Sequence, residues 1–124
     1  MREILFRGKR VDNGEWAEGY FFKSWDKVFL LWGMTGNSPN MEEVKPETVG
    51  QYTGLNDKNG KKIFEGDILL KGFEKVLVKW NANQCRWGIY SNNYEICGFN
   101  ESTQGYFEVI GNVHDNPELL EVEE

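Results

Sequence analysis

The stretch EKVLVKW, residues 74–80, decides the fold class of this chain. Apolar and charged side chains alternate along it, so that Val76, Val78 and Trp80 share one face while Lys75 and Lys79 lie on the other. A period of two residues is typical of a half-buried β-strand, because successive side chains of a strand point to opposite faces. The stretch therefore predicts a strand with one face in the core and one face in solvent.

Further strands are predicted on both sides of this stretch. Apolar runs at 63–70 and 105–113 have the composition of strands, and Cys85, Trp87 and Ile89 share one face of another. Glycine-rich polar segments separate these runs, as expected for chain reversals. The second half of the chain is therefore predicted to be a series of short antiparallel strands.

The N-terminal half is also predicted to consist of hairpins. Strands are expected over residues 3–11, 16–23 and 27–32. The Asn13-Gly14 pair between the first two is typical of a tight turn, which needs positive φ at both central positions. We expect a loop over residues 34–40, since glycine, serine and proline follow one another closely there.

Two single helical turns are predicted besides the strands. Pro46 and Pro117 each stand at the first position of such a turn, where the missing N–H costs nothing, and Asn116 caps the second turn. We expect Leu119 and Leu120 to close one end of the core. Strands at this spacing predict a mostly β barrel or sandwich in a chain of 124 residues, a length that suits one domain.

The charge of the chain limits its classes of partner. It carries 14 basic and 20 acidic residues, a net charge of −6. Five of the acids lie in the last ten residues, so that residues 1–114 are nearly neutral. Nucleic-acid binding is disfavoured, because it needs a broad positive surface. Since no apolar run suits a membrane span and no export signal is visible, we expect a cytoplasmic protein that does not bind membranes.

Cysteine and histidine are too few for the common metal sites. Cys85 and Cys97 lack the CxxC spacing, and His114 is the single histidine, so no zinc site and no other cofactor is predicted. Reduced thiols are favoured over a disulfide in a chain without an export signal. No nucleophile elbow and no phosphate-binding loop is present. An enzymatic function is therefore not favoured.

One enzymatic hypothesis stays open. Glu65 and Asp67 are two residues apart and lie on the same side of a strand, where they can bind a divalent metal or act as acid and base. Asp57 can join them across the neighbouring hairpin. These three carboxylates define a metal-dependent enzyme as the third candidate function.

Two segments indicate the protein family more specifically than the periodicity of the strands does. They are TGLNDKNGKKIFEGDI at residues 53–68 and VIGNVHDNPELL at residues 109–120. Together with Phe6-Arg7-Gly8-Lys9, they resemble the YopX family of small proteins, found mainly in phages and prophages. The resemblance implies a small SH3-like barrel with additional N-terminal strands and a short C-terminal helical turn. It implies no catalytic residues, and His114 stands where the family usually has an aromatic or apolar residue.

The resemblance spans nearly the whole chain, which predicts a single YopX-like domain over residues 1–124. Two internal arrangements stay open. Residues 1–50 form a lobe of their own beside a barrel over residues 51–120, or they complete that barrel.

Most residues of the two motifs have a structural interpretation. Gly66 permits the positive φ of a sharp turn, and Asp67 can accept backbone N–H bonds from that turn. Asn112 follows a glycine at a strand end, where asparagine usually satisfies a turn. Structural roles are therefore predicted for Gly54, Asp57, Gly60, Glu65, Gly66, Asp67, Gly111, Asn112, Asn116 and Pro117.

Aromatic side chains are the remaining indication of function. We expect most of the 18 aromatic residues in the core and some as exposed anchors, since tryptophan and tyrosine favour interfaces. Trp25, Trp32, Tyr90 and Tyr94 are the candidate binding residues. The favoured function is a phage or prophage accessory protein that binds a host or phage protein as a homo-oligomer, through aromatic positions and an exposed strand edge. The alternative is a nucleic-acid-binding barrel that stacks bases on Tyr90 and Tyr94 beside Lys79.

Overall fold

The computed structural model describes residues 3–101 and 103–120. Over that range the protein is mostly β, with two antiparallel sheets, neither of which closes into a barrel. The strands are β1 (Phe6–Lys9), β2 (Trp16–Ser24), β3 (Lys27–Thr35), β4 (Ser38–Val44), β5 (Gly50–Asn56), β6 (Lys62–Phe64), β7 (Asp67–Lys71), β8 (Glu74–Asn81), β9 (Arg86–Ser91), β10 (Tyr94–Gly98) and β11 (Glu108–Asn112). Three 3-10 turns accompany them, Pro46–Thr48, Gln104–Tyr106 and Pro117–Leu120. The mostly β prediction and both proline-initiated turns are confirmed.

The chain divides into two compact units, a first unit of Met1–Tyr52 and a second unit of Thr53–Glu124. In the first unit the strand order is β4-β3-β2-β1, and β1 also pairs with the start of β5 through Gly50 and Gln51. Val28, Leu30 and Val44 form its buried core. The partly buried Phe6, Ala17 and Val49 pack against this small core.

The end of β1 also joins the end of β4 within the first unit. Arg10 forms a bridge to Val44, and backbone N–H groups of Val11 and Lys45 donate to the carbonyls of Glu43 and Lys9 at 2.9 and 2.8 Å. The strands therefore curl around the buried side chains, which gives the first unit an inner and an outer face.

The prediction of a loop over residues 34–40 is wrong. Strand β3 continues to Thr35 and β4 begins at Ser38, so that only residues 36 and 37 make the turn. Pro39 lies within β4, opposite Met34. A proline is tolerated there because β4 is the outer strand of its sheet, where an N–H is not needed on the open side.

The second unit contains the larger core. Its sheet has the order β10-β9-β8-β7-β11, in which β7 to β10 form a meander and β11 returns to pair with β7. The buried cluster comprises Ile63, Leu69, Val76, Val78, Trp87, Ile89, Phe99 and Phe107. Val76 and Val78 are both buried, as the alternation of residues 74–80 predicts, whereas Trp80 on the same face is 46% exposed at the end of the strand.

The structure adds strand β10, which the sequence pattern does not predict, and it places Cys85 outside the strand face of Trp87 and Ile89. Asn92 and Asn93 both have positive φ, 50° and 72°, and make the tight turn into β10. Cys85 has φ of 53° and lies in the turn before β9, so it does not share the strand face of Trp87. Both Cys85 and Cys97 are free thiols.

Candidate functional site

The Asp57 carboxylate stabilises the loop of the first motif, residues 53–68, by hydrogen bonds to backbone N–H groups. Its Oδ1 accepts the backbone N–H groups of Asn59 and Lys61, both at 2.9 Å, and its Oδ2 accepts that of Val109 at 3.0 Å. Burial raises the pKa of this carboxyl, but the three backbone hydrogen bonds outweigh it, so the pKa of Asp57 lies below its ordinary value. The carboxylate thus shapes its own loop and ties that loop to β11.

The Glu65-Gly66-Asp67 turn is also held in place by hydrogen bonds that involve backbone groups. Gly66 has φ of 88°, and its N–H and C=O bond to Val78 and Val113 at 2.9 and 3.0 Å. Asp67 is buried, and its Oδ2 accepts the N–H of Phe64 at 2.8 Å. The Asp67 carboxylate and the Gly66 backbone therefore hold this turn in place, whereas the structural role of the Glu65 side chain stays a prediction.

Asn112 organises the end of the second motif. Its Oδ1 accepts the backbone N–H groups of His114 and Asp115, and its C=O accepts that of Asn116 at 2.8 Å. A Cβ on Gly111 would stand 2.6 Å from Oδ1 of Asn116, so only glycine fits beside this turn. Pro117 then begins the last 3-10 turn.

The hypothesis of a metal site at Asp57, Glu65 and Asp67 is not supported. Within residues 3–101 and 103–120, no three of the histidine, cysteine, aspartate and glutamate side chains come together as metal ligands. The physical reason is that Asp57 and Asp67 each turn toward backbone N–H groups of their own loops. The structure therefore does not bring these three carboxylates to one site.

Half of the aromatic side chains lie at the surface, so the expectation that most are core residues is wrong. Nine are exposed: Tyr20, Phe21, Phe22, Trp25, Trp32, Phe73, Trp80, Tyr94 and Tyr106. Of the candidate binding residues, Trp25 and Tyr94 are 93% and 79% exposed. Trp25 and Trp32 belong to the first unit, whereas Tyr90 and Tyr94 belong to the second.

Trp32 lines a small pocket of the first unit. The pocket measures about 280 Å³ and also contains Trp16. Arg10 lies within it and pairs with Asp12 at 2.7 Å and with Glu42 at 3.1 Å. Since the cation of this pocket is already paired with carboxylates, the pocket offers little to a charged ligand.

A larger groove of about 510 Å³ lies on the outer face of the second unit. Lys75, Leu77 and Lys79 line it from β8, on the face opposite Val76 and Val78. The other side chains that line it are Phe73, Tyr90, Ser91, Asn92, Asn93, Leu119 and Leu120. We call this surface the groove.

Tyr90 lines the groove from β9. The Nζ of Lys79 lies 4.8 Å from the centroid of its ring, a cation–π geometry. Burial raises the pKa of Tyr90, and the neighbouring Glu95 carboxylate adds to the effect, so its hydroxyl stays protonated at neutral pH. The groove thus presents a neutral aromatic ring beside an ammonium group.

Glu95 lies next to Tyr90 on the same face of the sheet, as its partner in the β9–β10 pairing. It accepts hydrogen bonds from Arg86, Asn81 and the Tyr90 hydroxyl, the last at 3.4 Å. Burial raises the pKa of Glu95, but the bonds from Arg86 and Asn81 outweigh it and the pKa lies below its ordinary value. The negative charge of Glu95 is therefore paired with Arg86 and does not neutralise Lys79.

Sequence reasoning identified Tyr90 and Lys79 but missed the rest of the groove. The signal was present in residues 74–80, whose second face carries Lys75 and Leu77. Leu119 and Leu120 were expected to close the core, which is wrong, because both are only half-buried and line the groove. No pattern in the sequence brings residues 119 and 120 to β8.

The fold and the groove define a small all-β protein with a ligand-sized outer surface and no recognisable catalytic constellation among the described residues. A family model described as YopX protein matches residues 6–121. The chain therefore belongs to the YopX family, as its two motifs indicate.

One solved structure is similar over the whole length. It is the crystal structure of protein EF1440 from Enterococcus faecalis, 26% identical, with a TM-score of 0.59, covering 98% of this chain and 100% of that chain. No protein of curated function shows detectable similarity to the chain. Among the helices of the described ranges, none has the length and apolar character needed to cross a membrane.

Proposed function

We propose that the protein is a binding module, and that the groove holds an extended acidic segment of a partner protein. One observation carries this proposal. The groove contains two lysines, Lys75 and Lys79, and the described residues that line it include no aspartate or glutamate. In a chain with a net charge of −6, such a local positive surface selects partners of opposite charge.

The apolar lining favours a protein segment over a nucleic acid. Leu77, Leu119 and Leu120 offer aliphatic surface, which suits aliphatic and aromatic side chains of a peptide. Within the groove, the ring of Tyr90 lies beside Lys79, but stacking of successive bases needs several such aromatic rings along a basic surface. The expected ligand therefore alternates acidic and apolar side chains.

An edge strand supports the same function. Strand β10 stands at the end of the sheet next to β9, which carries Tyr90. A strand at a sheet edge can pair with an added strand from a partner. Tyr94, the first residue of β10, lies at this edge and would contact such a partner.

The strand order of the second unit supports the SH3-like barrel. In the order β10-β9-β8-β7-β11, the strands β7 to β10 form a meander and β11 returns to β7, which suits a small, partly open antiparallel barrel. Membership of the YopX family supports a phage or prophage origin and a role in the host cytoplasm.

The proposal is tested with a library of displayed random peptides. Wild-type protein should enrich peptides that combine aspartate or glutamate with apolar residues. The Lys75→Glu/Lys79→Glu variant should lose these peptides, with affinities at least tenfold weaker by titration calorimetry. The control variant Lys23→Glu/Lys45→Glu makes the same change in net charge at exposed lysines outside the groove and should bind like the wild type.

Single-stranded DNA serves as the competing probe. If oligothymidylate binds with a steep salt dependence and no peptide is enriched, the nucleic-acid alternative replaces the proposal. Peptides that bind equally to the groove variant would also overturn it, because their site would then lie elsewhere.

A further inference from the structure

The outer face of the first unit carries an apolar patch that the groove does not explain. In the β2–β3–β4 register, Tyr20 lies opposite Leu31, and Leu31 lies opposite Met41, which makes one row across three strands. Phe22 and Phe29 form the next row, with ring centroids 6.3 Å apart, and the half-buried Glu43 lies opposite Phe29 at the end of this row. We call the five apolar side chains of these two rows the outer patch.

The outer patch faces away from the core of the first unit. Val28 and Leu30 alternate with Phe29 and Leu31 along β3 and are buried on the inner face. Tyr20, Phe22 and Met41 are 63%, 51% and 46% exposed. Nothing within the described part of the chain covers them.

The size of the outer patch matches one side of a protein interface. With about 200 Å² for each large side chain, the five residues expose roughly 400 Å² of apolar surface. A stable interface buries about 800 Å² per partner, of which roughly 60% is apolar. The patch therefore supplies most of the apolar area that one partner needs.

The charges at the two ends of the outer patch suit a second copy of this chain as the partner. Glu18 precedes Tyr20 by two residues on β2, and Lys27 precedes Phe29 by two residues on β3. Because β2 and β3 are antiparallel, these two exposed residues lie on the same face at opposite ends of the patch. An acidic end and a basic end make the patch complementary to a reversed copy of itself.

We propose that two copies of this chain pack outer patch against outer patch as a two-fold symmetric dimer. The axis lies between the two sheets, perpendicular to the strands, and reverses the strand direction of the partner. Glu18 of one protomer then faces Lys27 of its partner, and the same contact occurs at the other end. The outer patch belongs to the first unit and the groove to the second, so the observations behind this proposal are separate from those behind the peptide ligand.

Sedimentation equilibrium of the full chain tests the proposal. The wild type should be a dimer at about 100 µM and dissociate on dilution. Phe22→Glu should weaken the dimer at least tenfold, because it places a charge at the centre of the contact. Tyr94→Glu is the matched control, an exposed aromatic of the second unit, and should leave the dimer intact.

A charge exchange tests the identity of the partner. Lys27→Glu replaces two attractive contacts by repulsive ones and should weaken the dimer about fivefold. The double variant Glu18→Lys/Lys27→Glu should restore the wild-type affinity to within about twofold. Where circular dichroism shows that Phe22→Glu fails to fold, Met41→Glu replaces it. A monomeric wild type, a dimer that resists the patch variants, or an exchange without restoration would each overturn the proposal.

Discussion

The two units of this protein use their apolar residues in opposite ways. The second unit gathers eight buried side chains into one cluster, whereas the first gathers three. Exposed large apolar residues show the reverse distribution. Nine lie in the first unit, Ile4, Val11, Tyr20, Phe21, Phe22, Trp25, Trp32, Met34 and Met41, and five in the second, Phe73, Trp80, Tyr94, Ile96 and Tyr106. The second unit thus places most of its large apolar side chains in one core, whereas the first unit leaves most of its large apolar side chains exposed at the surface.

The largest effect is expected from the two cores. Leu69→Ala in the second unit should lower the free energy of unfolding by about 3–5 kcal/mol, because a cavity inside a large cluster cannot collapse. Leu30→Ala in the first unit should cost about 2–3 kcal/mol, since a small core near the surface can relax around the gap. Urea denaturation measures both values. Equal losses would contradict the contrast between the two cores.

A glycine substitution should act on the first unit alone. A Cβ on Gly19 would stand 2.5 Å from the backbone oxygen of Leu31, which cannot move without breaking the β2–β3 pairing. Gly19→Ala should therefore destabilise the first unit by about 2–3 kcal/mol, as measured by hydrogen exchange of β2 and β3 amides. Gly33→Ala is the control, because its nearest neighbour lies at 3.8 Å. A large loss of protection in the control would show that any side chain disturbs these strands.

Buried polar side chains give the two units different responses to acid. Asp57→Asn removes a charged acceptor of three backbone N–H groups and should cost about 2 kcal/mol at neutral pH. Because the folded pKa of Asp57 is lowered, its contribution is present above the unfolded value of about 4 and is lost as the pH falls below that.

Chemical denaturation between pH 7 and pH 3 shows the difference. The wild type should lose more stability than Asp57→Asn over this range, so that the two converge in acid. Thr48 in the first unit also accepts a backbone N–H, that of Lys9 at 2.9 Å, but has no titratable group. The free energy of unfolding of Thr48→Ala should therefore depend on pH in the same way as that of the wild type. If Asp57→Asn also showed the pH dependence of the wild type, the role given to the Asp57 carboxylate would be refuted.

The smallest effect is expected at the groove. Since Leu119 is half-buried, Leu119→Ala should cost only about 1 kcal/mol, less than a core leucine. Its main consequence should be weaker binding of acidic peptides, measured by titration calorimetry. Glu118→Ala, at the exposed neighbouring position, should change neither property by a comparable amount. If Leu119→Ala lost as much stability as Leu69→Ala, Leu119 would have to be assigned to the core and not to the groove.

The sequence predicts those elements whose local pattern agrees with their tertiary environment. Residues 74–80 alternate because one face meets the core, and Pro46 and Pro117 begin turns that need no N–H. Strand β10 escapes prediction because a bulge between Glu95 and Cys97 interrupts its alternation. Glu95 lies opposite Tyr90 on the groove face, Cys97 lies opposite Ile89 of the core, and Ile96 between them is exposed. A bulge adds one residue to the strand, so periodicity alone cannot assign the faces.

The candidate site was only partly predictable for a related reason. Lys79 and Tyr90 were proposed from residue type, and their cross-strand contact follows from the β8–β9 pairing. Leu119 and Leu120 reach the groove through the packing of the last 3-10 turn near β8, which no local pattern encodes. Three carboxylates close in sequence did not form a metal site, since backbone N–H groups compete for Asp57 and Asp67.

The cross-strand pair Trp80–Trp87 gives the second unit an optical signature of its own. The two indoles lie opposite each other in β8 and β9, edge to face, with centroids 5.1 Å apart. Two chromophores at this distance couple their electronic transitions and produce an exciton couplet in circular dichroism, which Trp80→Phe would abolish. Fluorescence of a Trp80→Phe/Trp87→Phe variant, by contrast, reports the first unit, because its remaining tryptophans Trp16, Trp25 and Trp32 all lie there. A single domain over residues 1–124 requires both signals to disappear together on heating, whereas two domains would lose them at different temperatures.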